Sequence, residues 1–485
     1  MRLSPASLPR GLALPSYDLD AVRIGWAHLG CGAFHRAHQA EYADDLLTAG
    51  HMRWGLVGIN LRPPDIGAAL TPQHGLYLRI ARDGAEQNVK MIGAIRRVIS
   101  GDTAAAIRRL ASSEVRVVTL TITEKGYCHT PATGALQAEH PDISHDLAPG
   151  AVPRSAPGAL VAALAQRREN GAPPLSLISC DNVPANGTVL HGAVLGFARL
   201  YDPELADWIE RNTTFPNTMV DRIVPATSDS DREWVRETFG VDDHALVVGE
   251  AFRQWVIEDR FAGDRPPWEL AGAEIVADTR PFEAMKMRLL NGCQSGLAYL
   301  GYLAGCRYTS DAMATPELAA YATELMRRET APTLNMPAGI DVTAYRARVI
   351  ERLRNTAIAH RTWQIATDGS QKIPQRLLEP LRWHIARNRP APLLALGIAA
   401  WMQFVSACDL DGKSIDVVDP LAPELRRLAD AAGGDARALV RAMLTVDAIF
   451  GTDLGVAEDA IVAALTALRE RGPVRLCSDL TSKAG

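Results

Sequence analysis

Four apolar runs of strand length, residues 22–29, 54–61, 115–122 and 175–180, are separated by segments of helical pattern at 38–49, 103–112 and 157–170. Parallel strands need a crossover between them, and a helix is the usual one. The alternation predicts a parallel α/β sheet for the first half of the chain. Pro63-Pro64, residues 140–153 and Ala172-Pro173-Pro174 read as connecting loops. After about residue 285 strand-like runs largely disappear. Ala/Leu/Arg-rich segments at 316–328, 342–357, 394–405 and 436–449 predict a mainly helical second half. A chain of 485 residues is too long for one ordinary core. The change of texture puts a domain boundary near 280–285, giving domains 1–284 and 285–485.

Composition narrows the function. Hydrophobic residues make up 47% and charged residues 22%, as in ordinary globular enzymes. A net charge of -5 without a long basic run gives no footprint for nucleic acid. No apolar run is long enough to span a bilayer. Prolines interrupt the N-terminal MRLSPASLPRGLALPSYD, which makes it a poor signal peptide and favours the cytoplasm. Seven scattered cysteines without a CxxC argue against a disulfide framework or zinc cluster and for buried small hydrophobes.

The first strand runs through VRIGWAHLGCG into AFHRAHQAEYADDLL. Gly30-x-Gly32 before a helix suits a dinucleotide phosphate loop, because glycines admit close backbone approach and the helix start offers free N–H groups. His35 stands where a third glycine would complete GxGxxG, and an ordinary strand–helix turn stays open as the alternative on GxG alone. In WGLVGINLRPPD, Asp65 can accept from a ribose 2′-hydroxyl, which favours NAD. Arg62 beside it could meet a 2′-phosphate, so NADP stays open, and so does a solvated loop role for Asp65.

Other strand ends are polar. LTITEKGYC ends in Thr123-Glu124-Lys125-Gly126, either a cofactor wall or a surface turn. LSLISCDNVPANG offers Asp181 and Asn182, either a donor to a substrate oxygen or a turn or N-cap. FPNTMVDRIVP holds Asp221 and Arg222, either a hydroxyl acceptor or a buried ion pair. DGSQKIPQR contains Lys372, which otherwise reads as a loop cation. MKMRLLNGCQSGLAYLG interrupts an apolar helix with Lys286, Asn291 and Gln294. At about 100° per residue these fall near 0°, roughly 140° and roughly 80°, a broad side rather than a stripe. They either line a cleft or leave Lys286 reaching water.

GCGAFHRAHQ, TEKGY, SCDNVPANG, FPNTMVDRIVP, KMRLLNG and SQKIPQR occur in this order. Together they resemble the polyol-specific long-chain dehydrogenase/reductase family, which includes mannitol 2-dehydrogenase and fructuronate reductase, over nearly the whole chain. The resemblance implies a Rossmann-type N-terminal domain carrying a nicotinamide cofactor and a helical C-terminal domain closing over the substrate, without a metal. It implies that Gly30, Gly32, Ala33, Phe34 and His35, with Thr123, Glu124 and Lys125, meet the cofactor, and that Asp65 is the ribose acid. The residue before Asp65, often acidic in the family, is Pro64 here. By the same resemblance Lys286 of K-x-x-x-x-N is the catalytic lysine, with Asn291 and Asn182 as the asparagines. Asp221 and Lys372 belong to the substrate site.

That assignment makes chemical sense. A lysine of lowered pKa takes the hydroxyl proton as hydride leaves, and two amides steady the alkoxide. Gln294 departs from the family pattern NGxHS, here NGCQS. Glutamine hydrogen-bonds but does not titrate. The expectation is an oxidoreductase for a polyol/ketose or hexonate/ketouronate pair. SQKIPQR resembles the fructuronate reductase side more closely. The competing reading is a sugar- or cofactor-binding regulator that lost turnover, favoured by Gln294 alone. No tyrosine has Lys four residues later, which removes the short-chain class, and no zinc-dehydrogenase Cys/His set is legible. The expected partner is a sugar alcohol or sugar acid. Because the family includes monomers, a monomer or weak oligomer is expected.

Overall fold

The computed structural model describes residues 1–63, 65–130 and 134–482. The chain divides into two compact units, Met1–Arg280 and Pro281–Gly485. In the first, six strands form one sheet: β1 (Ile24–Leu29), β2 (Gly55–Asn60), β3 (Ile95–Ser100), β4 (Val117–Leu120), β5 (Leu175–Ser179) and β6 (Thr213–Thr214). Their spatial order is β3-β2-β1-β4-β5-β6, and every pair is parallel. The order reverses between β1 and β4, and at such a switch point the strand ends open a crevice.

Both faces of this sheet are buried, which explains why its strands read as continuous apolar runs. Ala27, Leu29, Val57, Ile59, Val118 and Leu120 share one core with helices Thr103–Ala111, Ala156–Glu169 and Asn186–Tyr201. Trp26, Leu56, Val117 and Ile178 share the other with helix Gln39–Thr48. On that second face Trp26 stacks on Trp255 at 5.9 Å and meets Trp268 edge-on at 5.3 Å.

Two smaller sheets went unread in the sequence. Tyr77–Asp83 and Glu86–Ile92 form a hairpin that pairs in parallel with Val247–Glu250. Gln254–Glu258 lies between Thr218–Asp221 and Glu274–Val276. The loop expected over 140–153 contains helix Pro141–Asp146, whose first turn is capped when His140 Nδ1 accepts the Asp142 N–H. Pro64 of the expected Pro63-Pro64 loop lies outside the described residues.

Glu41, on helix Gln39–Thr48, ties these sheets to the main one. It accepts from Arg79 at 2.8 Å and from Arg222, and Arg253 lies 3.7 Å away. Arg79 comes from the hairpin, while Arg222 and Arg253 flank the strands of the third sheet. Burial alone would raise the Glu41 carboxyl, but Arg222, Arg79 and Arg253 outweigh it and hold it at about 2.

The second unit is helical. Helix Pro392–Val405 is buried from Leu393 to Val405. Glu329 closes its N-terminus, accepting from Leu393 N at 3.0 Å and Leu394 N at 2.7 Å. A Cβ at Gly296 or Gly397 would lie 2.5 or 2.8 Å from Tyr321 Oη, so two glycines let three helices meet around one phenol. The run 316–328 is α-helical only to Glu324, because Leu325–Thr330 is a π-helix. The run 436–449 breaks into Ala436–Leu444 and Asp447–Phe450. Among the described residues no helix is long and apolar enough to cross a membrane.

The Glu41 network sets a pH-dependent stability. A depressed carboxyl contributes fully above its ordinary range and loses that contribution as pH falls toward 2. Replacing Glu41 by Gln leaves buried Arg79 and Arg222 without their carboxylate, while half-buried Arg253 keeps Asp45, and is expected to cost about 3–5 kcal/mol near neutral pH. Urea unfolding at several pH values should show the gap between variant and parent narrowing below about pH 4.5.

Candidate functional site

In the first unit the candidate site lies at the carboxyl ends of β1, β2, β4 and β5. Gly30, which follows β1, has φ +86°, and a Cβ there would stand 2.0 Å from Thr121 O. Only glycine lets the chain turn this closely against the segment after β4. Gly32 is exposed, and a Cβ there would meet only Gly30 O at 3.8 Å, leaving backbone open to a ligand. Asn60, ending β2, accepts from Cys31 N at 2.7 Å and pins the loop from its other side.

Beneath the loop runs a hydrogen-bond chain with one sense. The Trp26 indole donates to Thr119 Oγ1 at 2.7 Å, and Thr119 Oγ1 lies 2.7 Å from His28 Nδ1. Thr121 Oγ1 donates to Gly30 O at 2.8 Å and therefore accepts from His28 Nε2–H at 2.8 Å. An indole only donates and a carbonyl only accepts, so His28 is the neutral Nε2–H tautomer. Burial pushes its pKa down to about 3. His35 stacks on His28 with ring centroids 3.4 Å apart and is fully buried. The ring expected to meet the cofactor is instead packed under the loop. Ala33 and Phe34 are half-buried, and Phe34 stacks on His38 at 5.0 Å.

The Thr123–Lys125 turn is exposed, and Thr123 has φ 64°. Asp181 holds it in place: its carboxylate accepts from Ile122 N at 3.0 Å, Thr123 N at 2.9 Å and Tyr127 Oη at 2.6 Å. The expected N-cap role for Asp181 or Asn182 fails, because helix Asn186–Tyr201 begins beyond them with Ala185 as its N-cap. Asn182 is exposed beside this turn. Asp65 is exposed, and its Oδ1 accepts from Gly67 N at 2.8 Å and Ala68 N at 3.3 Å. Asp221, at the end of strand Thr218–Asp221, is 2% exposed. Its neighbour Arg222 is in a buried ion pair with Glu41.

Cys128, His140 and Asp142 bring three ligand-type atoms within 4.8 Å of one another, a grouping their separation in sequence conceals. Two of these residues have other work: Asp142 binds Arg62, and His140 Nδ1 accepts a backbone N–H. Burial pushes the Cys128 thiol up to about 11. All seven cysteines are free, five of them buried.

In the second unit, helix Arg280–Met285 passes into a π-helical turn, Lys286–Asn291, and resumes as α-helix Gly292–Leu303. A π turn closes i to i+5, which brings Lys286 and Asn291 to one side. The α-helical angles had spread them apart. Lys286, Asn291 and Gln294 are 8%, 6% and 7% exposed, so the reading in which Lys286 reaches water is corrected. The Asn291 amide nitrogen lies 3.1 Å from Met287 Sδ, a weak acceptor that yields the donor at small cost. A Cβ at Gly292 would stand 2.7 Å from Arg376 O, so the glycine admits the second π segment, Pro374–Leu378. Arg376 donates to Ser295 Oγ at 3.0 Å across the same contact. Lys372 is on helix Gly369–Ile373 rather than in a loop, and its Nζ donates to Thr367 O at 2.6 Å and Ile365 O at 3.3 Å. Sequence reasoning missed Thr119 and His28, and read Asp181 without its part in holding the Thr123 turn, because these roles appear only when separate strand ends meet.

The 3-2-1-4-5-6 strand order, with its glycine turn at the switch point, defines a Rossmann-type dinucleotide-binding fold. Residues 25–270 match the family model of the mannitol dehydrogenase Rossmann domain, and residues 278–470 that of the mannitol dehydrogenase C-terminal domain. The chain is 45% identical to D-mannonate oxidoreductase of Escherichia coli (strain K12), over 95% of this chain and 96% of that one. It is 38% identical to mannitol 2-dehydrogenase of Pyricularia oryzae, over 93% and 91%. The Pseudomonas fluorescens mannitol 2-dehydrogenase ternary complex with NAD and D-mannitol superposes with a TM-score of 0.89 at 38% identity, covering 100% of both chains. This chain belongs to the mannitol dehydrogenase family.

Removing the Asp181 carboxylate should release the turn it holds. In Asp181→Ala, hydrogen exchange at the Ile122 and Thr123 amides is expected to accelerate well beyond that at the neighbouring β4 amides.

Proposed function

We propose that this enzyme is an NAD-dependent, metal-independent oxidoreductase that interconverts a secondary alcohol and a ketone of a sugar acid or polyol, with Lys286 as general acid/base. The observation that supports the reading is a π turn that begins at a buried amine, Lys286, and ends at a buried amide, Asn291. A buried lysine in a packed helix costs stability unless the position has a use. We assign residues 1–284 to the cofactor and 285–485 to substrate and catalysis.

The exposed backbone at Gly32, with Gly30, Ala33 and Phe34, suits the pyrophosphate. Asp65 suits the ribose, and Thr123–Lys125 the cofactor's flank. The chemistry that bound NADH supplies is hydride for the carbonyl carbon. In that direction Lys286 Nζ gives a proton to the carbonyl oxygen, and in the reverse direction it takes the hydroxyl proton. Asn291 and Asn182 donate to the developing alkoxide. Asp221 accepts from a substrate hydroxyl, Gln294 orients a second oxygen, and Lys372, anchored on two carbonyls, adds positive charge. SQKIPQR and the similarity to D-mannonate oxidoreductase favour a hexonate/ketouronate pair over a polyol/ketose pair.

The second reading is a binding protein without turnover, and Gln294 in the family's histidine position is the observation that favours it. An assay of reduced-nicotinamide absorbance against fructuronate, tagaturonate and fructose separates the two. Turnover is expected, with the ketouronates preferred. Lys286→Ala is expected to lower kcat by about 10²–10⁴-fold while leaving NADH binding, followed by fluorescence, within a few-fold. Gln294→His is expected to shift the ranking of substrates. NADH binding without turnover on any of the three would support the second reading.

A further inference from the structure

The turn after β2 carries one cation and one anion among its described residues, Arg62 and Asp65. A cation at this point of a dinucleotide-binding fold is what a 2′-phosphate requires, since guanidinium matches phosphate in charge and geometry. Here Arg62 has been taken up elsewhere. Its Nη2 lies 2.5 Å from Asp142 Oδ2 and 3.2 Å from Arg154 O. Asp142 stands in helix Pro141–Asp146, beyond β4, so the guanidinium reaches from the β2 side of the sheet to the β4 side.

Its far anchor is fixed. The Asp142 backbone N–H is held by His140 Nδ1 at 3.2 Å, and His140 Nδ1 lies 3.7 Å from the same Asp142 oxygen. Arg154 N donates to Asp146 Oδ1 at 2.8 Å, and Asp146 also accepts from Ser155 N at 2.8 Å. These bonds hold the backbone that carries both acceptors of Arg62.

We propose that Asp142 is a specificity-determining residue for the cofactor: by holding Arg62 it denies a 2′-phosphate its cation and makes the site select NADH over NADPH. The inference rests on the proposed reading that the Arg62–Asp65 turn receives the adenosine ribose. The charge arithmetic is direct. With Arg62 neutralised by Asp142, the turn presents the net charge of Asp65, which suits two ribose hydroxyls and repels a phosphate. With Asp142 neutral, Arg62 offsets Asp65 and can turn to the phosphate. The side chain of Arg62 is 57% exposed, so it has room to move once released.

The test compares kcat/KM for NADPH and NADH in four proteins: parent, Asp142→Asn, Asp142→Asn with Arg62→Gln, and Asp65→Ala. Asp142→Asn is expected to raise the NADPH/NADH ratio at least tenfold, mostly through KM, and the gain should shrink with added salt. The double variant is expected to return to the parent ratio. An unchanged ratio in Asp142→Asn, or the same gain in the double variant, overturns the proposal. Asp65→Ala checks the reading beneath it. If NADH KM does not rise there, the turn does not hold the ribose. If it rises while Asp142→Asn leaves the ratio unchanged, the role of Asp142 alone is refuted.

Discussion

The close approach of Gly30 to Thr121 O governs the first unit. At 2.0 Å from a virtual Cβ there is room for a hydrogen and nothing more. β1 and β4 are neighbours whose crossovers leave in opposite directions, and this contact fixes where they part. The rest of the strand-end architecture is organised around keeping it. Asn60 holds the loop from the β2 side, the Thr121 hydroxyl grips the Gly30 carbonyl, and Asp181 secures the Ile122–Thr123 backbone one step further. A crevice held by three polar side chains that grip backbone groups leaves the other side chains lining it free to vary.

Four of the six strands of the main sheet were legible because they are buried on both faces and so appear as apolar runs; the edge strands β3, IRRVIS, and β6, two residues long, were not. The smaller sheets stayed hidden because they lack such runs. Tyr77–Asp83 carries Arg79, Arg82 and Asp83, and Glu86–Ile92 opens on three polar residues, so neither forms an apolar run, and the Asp83-Gly84 turn with φ +54° at Gly84 was the available signal. Motif order revealed the family but not the geometry within it. Asp181 looked like a cap because Asp and Asn precede a helix there, and it took the fold to bring Ile122 and Thr123 to its carboxylate. His35 looked like a loop contact and proved to be packing under the loop.

The π turn at Lys286 was the least legible feature. Helical periodicity assumes one angle per residue, and a single wider turn changes the phase of everything after it. Two further π segments, Leu325–Thr330 and Pro374–Leu378, lie in the same helical unit. Such turns give up regular bonding, and proteins keep them mostly where a side chain must be aimed. Gly292 and the Arg376–Ser295 bond show how packing stabilises one of them.

The hydrogen-bond row under the glycine loop has a further consequence. Its four bonds, from the Trp26 indole to the Gly30 carbonyl, run in one direction only. No hydroxyl in it can rotate, and the imidazole cannot change tautomer, unless its neighbours do so together. Reversing any one of these bonds would require reversing its neighbours, so the row is a single oriented element laid across two strands.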